Sequence, residues 1–110
     1  MSSRLLVIIA TAEKDKALAG LMFARNAIEK AWMSDVKIVF FGPSERLIVT
    51  DKHLSNEARE IASLGEVFAC KAISDKEGFS DDIETLGVKV EFVGSKISDL
   101  VKQGYVPMVW

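Results

Sequence analysis

The chain holds one cysteine, one histidine, one tyrosine and two prolines in 110 residues. A lone cysteine, Cys70, excludes an internal disulfide, an intrachain CxxC redox pair and a thiolate-rich metal site. It points instead to a reducing, cytoplasmic setting, and no residue pattern asks for a metal or another cofactor. An excess of one charge is missing too: 14 Lys and Arg stand against 16 Asp and Glu, a net charge of -2. The lysines are scattered among acids. The clustered positive charge that binds a phosphate backbone is therefore absent, and nucleic acid is not an expected partner. No apolar run approaches the roughly 18–20 residues of a membrane span, so no membrane is expected either. The apolar stretch near the N-terminus covers only residues 5–10 before acids begin, which reads as a first strand rather than a signal peptide.

Apolar residues make up 49% of the chain and charged ones 27%, the ordinary balance of a soluble globular protein. The length suits one domain, spanning residues 1–110. "RLLVIIA" (4–10) is a continuous β-branched run, the pattern of a strand covered on both faces. A helix is predicted over 13–33, with Ala17, Leu21, Ala24, Ile28 and Ala31 forming its core-facing stripe. "VKIVFFG" is a second buried strand, and Pro43 opens a short helix reaching Val49. A further helix runs from Ser55 as N-cap to Leu64, with Gly65 as its stop. "EVFACKA" is a third strand, followed by a loop and a short helix capped by Ser80. "VKVEFVG" is a fourth strand, residues 95–103 form a helix, and "YVPMVW" is a fifth strand. This alternation predicts a three-layer α/β/α sandwich around a mainly parallel five-stranded sheet.

In such a sheet the loops leaving the carboxyl ends of the strands share one rim, where ligands usually bind. The rim then gathers residues 11–14, 41–44, 70–74 and 94–95, which makes Thr11, Gly42, Cys70 and Gly94 candidate binding positions. "FFGPSER" follows a strand but carries neither GxGxxG nor GxxxxGK[ST], so its Gly-Pro turn reads as local geometry rather than a phosphate cradle. His53 lies in a polar connection and reads as a surface histidine. Asp75, Glu77, Asp81, Asp82 and Glu84 lack the spacing of a calcium loop and read as a solvated segment.

Cys70 has two readings. A cysteine ending an apolar strand serves as a small core hydrophobe. A thiol at a strand's carboxyl end can also face the backbone N–H groups of residues 71–78, with Lys71 or Lys76 nearby to stabilise a thiolate. At an ordinary pKa near 8.5 only about 3% of a thiol is ionised at pH 7, so such help decides its reactivity. Met22, Phe23 and Met33 lie off the long helix's core stripe, and Pro107 marks the last strand as an edge. Both features favour a homo-oligomer.

The segments "LLVIIATAEKDKALAGLMFARNAIEKAW", "VKIVFFGPSERLIV", "VFACKAISDKEG" and "VKVEFVGSKISDLVKQGYVPMVW", in this order, resemble the DsrE/DsrF-like sulfur-relay family over most of the chain. The resemblance implies a small α/β domain assembling into trimers or hexamers. It also implies a persulfide-carrying cysteine after the third strand, matched by Cys70 and followed at family-like spacing by Ser74 and Gly78. Lys71 and Glu77 stand where family members often carry a small residue and an arginine. On this basis the expected function is a sulfur carrier or sulfurtransferase-like protein without a cofactor. Its partners would be sulfur-donor and acceptor proteins or small persulfides, and Lys71 and Ser74 would support Cys70. The alternative is a non-catalytic oligomeric binding or assembly module in which the rim pocket takes a ligand and Cys70 is structural.

Overall fold

The structure, a computed structural model describing residues 3–110, joins each strand to the next through one or two helices. The order is β1 (Arg4–Ile9), α1 (Lys14–Glu29), β2 (Asp35–Phe40), α2 (Ser44–Thr50), α3 (Lys52–Leu64), β3 (Val67–Cys70), α4 (Lys71–Glu77), α5 (Ser80–Glu84), β4 (Lys89–Glu91), α6 (Val93–Lys102) and β5 (Tyr105–Val109). The strands form one sheet in the order β4-β3-β2-β1-β5. Every pairing is parallel, from Arg4 opposite both Asp35 and Tyr105 to Cys70 opposite Glu91. The expected α/β/α sandwich is therefore present, with a sheet that is wholly parallel.

Helices cover both faces of the sheet, so the central strands are apolar on both. Leu5, Val7 and Ile9 of β1 join Val36, Ile38 and Phe40 of β2 in a core closed by α1, α2, α3 and α5. Leu6, Val39, Phe68 and Cys70 face the other way, under Val93 and Leu100 of α6. Alanines at 17, 24 and 27 let α1 lie close on the sheet, with Leu21 between them. Ile28 is half-buried, whereas Ala31 lies beyond the helix end and is exposed. The helix stops at Glu29 rather than Met33 because the chain turns there, with Ala31 at a φ of 52°.

Other boundaries moved for local reasons. α3 begins before Ser55, since Asp51 caps it by accepting from the Leu54 N–H. Ser55 instead donates to the Ile48 carbonyl and ties α3 to α2. Ser80 opens α5 but does not cap it; its hydroxyl donates to Asp75. α6 starts at Val93, so Gly94 belongs to its first turn.

β5 is an edge strand, pairing with β1 alone. Trp110 donates to the Ile8 carbonyl and accepts from the Ala10 N–H. Alternation along the strand then turns Pro107 toward the open side, where its missing N–H breaks no pairing. Val106, Met108 and Val109 remain exposed on this edge, as do Met22 and Trp32 near α1. Phe23 is half-buried between the Trp32 and Trp110 rings, at centroid distances of 6.2 and 5.9 Å. Met33 packs partly against the core.

Candidate functional site

The carboxyl ends of β1, β2 and β3 open onto a cavity of about 380 Å³. Its walls come from Ala12 after β1, Gly42 and Pro43 after β2, and Ile73 and Glu77 of α4, with Phe79 beyond. α2 supplies Glu45, Arg46, Leu47 and Thr50. Two features of "FFGPSER" build this wall. Gly42 takes a φ of +92°, a left-handed conformation that side chains resist, and this turns the chain sharply out of β2. Ser44 then anchors the start of α2 by donating to the Ile9 carbonyl at the end of β1. The Gly-Pro turn thus brings an acid onto the rim rather than a phosphate cradle.

That acid, Glu45, was not marked by the sequence, nor were Arg46, Leu47, Thr50 and Phe79 of the same wall. Glu45 is 0% exposed. One carboxyl oxygen accepts from the Gly42 N–H at 3.3 Å, and the other has no hydrogen-bond partner. Burial pushes the carboxyl up to about 7, against the smaller opposing effect of the Gly42 hydrogen bond. The available clue was spacing: Glu45 and Ile48, three apart, share the buried face of α2. An acid in the first turn of a helix otherwise reads as an exposed partner of the helix dipole.

Cys70 ends β3 and immediately precedes α4. It is 7% exposed and packs among Leu6, Val39, Phe68 and Val93. It does not line the Glu45 cavity, nor the shallower depression bounded by Lys71, Glu91, Phe92 and Ser95 on the α6 side. The stretch expected as a loop of free N–H groups is a helix, α4. Only its first turn keeps N–H groups unused by the helix ladder, and no side chain caps them.

The residues around Cys70 are engaged elsewhere. Lys71 bonds Asp75 one turn on, at 2.8 Å, which holds the lysine above its usual range and Asp75 below its own. Ser74 is fully buried and pairs with Ser80 at 2.8 Å, joining α4 to α5. Glu77 bonds Arg46 at 3.0 Å, bridging α4 to α2 at the mouth of the cavity. Gly78 closes α4 at a φ of 78°, a left-handed C-terminal stop that suits glycine. Of the other rim candidates, Gly42 lies on the cavity wall. The Thr11 hydroxyl accepts from the Glu13 N–H and its own N–H donates to the Trp110 carbonyl, a local turn. Gly94 is exposed in α6, where its carbonyl accepts from Ser98. His53 lies exposed on α3, 3.9 Å from Glu57. No described helix is long and apolar enough to cross a membrane.

The sequence matches no known family profile, and no curated protein matches it. Two solved structures share the fold. BT1422, a conserved protein of unknown function from Bacteroides thetaiotaomicron, aligns over 96% of this chain and 93% of its own, with a TM-score of 0.83 and 23% identity. MTH1491, a protein of unknown function from Methanobacterium thermoautotrophicum, aligns over 99% of this chain and 100% of its own, with a TM-score of 0.81 and 18% identity. At these identities the likeness shows the fold alone.

Proposed function

We propose that the protein is a sulfur carrier, holding a persulfide on Cys70 and passing it to an acceptor thiol. The observation that carries this reading is the place of its one thiol, at the end of β3 on the carboxyl edge of the sheet, before the uncapped first turn of α4. In the loading step the Cys70 thiolate attacks the outer sulfur of a donor persulfide. A new S–S bond forms, the donor's S–S bond breaks, and the donor leaves as a thiolate that takes a proton from water. In the second step an acceptor thiolate attacks the outer sulfur and releases the Cys70 thiolate. Neither step needs an oxidant or a cofactor. The lack of a second cysteine suits a carrier, since an internal thiol would discharge the persulfide as a disulfide.

Intact mass after treatment with polysulfide tests this directly. The expected result is a gain of one sulfur on the native chain and none on Cys70→Ser. An unchanged native mass, or sulfur gained by Cys70→Ser, overturns the carrier reading.

One observation favours a second reading: Cys70 is 7% exposed in an apolar cluster, with Lys71 and Ser74 bonded to other residues. In that reading Cys70 is a packing residue, and the Glu45 cavity is the working site of a binding module. Alkylation separates the two. A carrier thiol reacts at neutral pH, whereas a packing thiol reacts slowly even well above its ordinary pKa.

Either reading includes a homo-oligomer, most simply a trimer or hexamer. The open β5 edge, with Val106, Met108 and Val109 exposed, supports it. Light scattering on the eluting protein should report a multiple of the 12.1 kDa chain. A monomer at micromolar concentration would sink this part of the proposal.

A further inference from the structure

We propose that the cavity between α2 and α4 binds a small organic cation, an ammonium or amidinium on an apolar body, whose charged donors pair with Glu45. The inference rests on the cavity reading above and is independent of any chemistry at Cys70, which lines another part of the fold.

Three observations converge on this ligand class. Glu45 is among the residues lining the cavity, is 0% exposed, and has one carboxyl oxygen without a partner, so a ligand pairs with that oxygen by displacing the side chains that cover it. What that oxygen lacks is a donor, and its only neighbouring bond, from Gly42 at 3.3 Å to the other oxygen, is long. A buried carboxylate without a countercharge is strongly disfavoured, and a charged donor offsets that cost better than a neutral one. The rest of the wall is suited to an apolar body, with Pro43, Leu47, Ile73 and Phe79 around it. Finally, the charges at the mouth, Arg46 and Glu77, neutralise one another at 3.0 Å. An entering cation therefore meets no unpaired positive charge there. At about 380 Å³ the space falls within the range of small-molecule sites.

The raised titration of Glu45 accords with this geometry. Burial without a countercharge keeps the carboxyl mostly neutral below pH 7, and a bound ammonium would hold it ionised.

The experiment is an amide NMR titration of the full chain at about pH 8, where free Glu45 is mostly ionised. The three probes share one shape: benzylammonium, benzyl alcohol and phenylacetate. Saturable shifts at Gly42, Arg46, Leu47 and Phe79 are expected with benzylammonium at millimolar concentration. The alcohol and the acid should bind at least about tenfold more weakly, and Glu45→Gln should lose the preference for the cation. If the alcohol or the acid binds as well as the cation, the cation assignment fails while the cavity reading stands. If none of the three binds, both fail. The comparison of probes on the native chain decides the question even if Glu45→Gln does not fold.

Discussion

Raising the pH from about 5 to about 8 is expected to destabilise the fold by on the order of 3 kcal/mol, and Glu45→Gln should remove most of that slope. The cause is one buried carboxyl. In the unfolded chain Glu45 releases its proton at its ordinary value of 4.5, whereas burial in the folded chain raises that to about 7. Between those values the native state keeps a proton that the unfolded state has lost. Stability is therefore full below about 4.5, falls as pH rises through about 7, and levels off above it.

Several other carboxyls act in the opposite sense. Asp51 is lowered by the Leu54 N–H and then Lys14, Glu66 by Lys89 and then Lys37, and Asp75 by Lys71 and then Ser80. At Asp35 burial pushes upward, but hydrogen bonds from Tyr105 and Lys37 outweigh it. What these groups add is present at neutral pH and lost only as pH falls toward their folded values, so it does not mask Glu45 in the higher window. Urea midpoints at a series of pH values, read for the native chain and Glu45→Gln, give the result. A native midpoint that stays flat or rises between about pH 5 and 8 would falsify the assignment of Glu45 as a buried acid. A cation bound at Glu45 should flatten the same slope, because it supplies the countercharge the folded state lacks.

The strands were legible because each carries its own signal. β1 and β2 are runs of Leu, Val, Ile and Phe that only a sheet covered on both faces can bury, and the structure buries both. The alanine-rich face of α1 was readable for the same reason. α4 was not. "KAISDKE" buries only Ser74, so it has no apolar stripe, and what orders it is contact across the fold. Lys71 meets Asp75 within the helix, Ser74 meets Ser80, and Glu77 meets Arg46 from α2. The last two pairings link segments whose approach is set by the tertiary fold. The place of Cys70 at a strand end was likewise local information. Its packing under α6, and the engagement of its neighbours, depend on partners elsewhere in the chain. Glu45 was hidden most completely, since an acid in a first helical turn is ordinarily solvated.

Phe40→Ala should lower stability by about 3–5 kcal/mol, a large share of the roughly 5–15 kcal/mol that holds a domain of this kind together. Phe40 is 0% exposed and sits between Ile9 on β1 and Ala69 on β3. The small side chain at Ala69 leaves room for the ring, and Ile48, Leu54 and Ile83 belong to the same core cluster from the helix side. Truncation would remove the ring's burial and leave a void. Paired strands on both sides of β2 restrain its backbone from collapsing into that space. Phe40→Leu keeps most of the volume and should cost much less. Urea unfolding should therefore show a sharply lowered midpoint for Phe40→Ala at an unchanged slope, and a small change for Phe40→Leu. A loss below about 1 kcal/mol for Phe40→Ala would mean that the core beneath the rim is loosely packed. The position bears on the proposed cation site because Phe40 is followed directly by Phe41, Gly42 and Pro43, the turn that carries Glu45 to the cavity wall. Folded Phe40→Ala protein at low temperature should bind benzylammonium more weakly than Phe40→Leu, since loosening this turn unfixes the carboxyl on which the cation would dock.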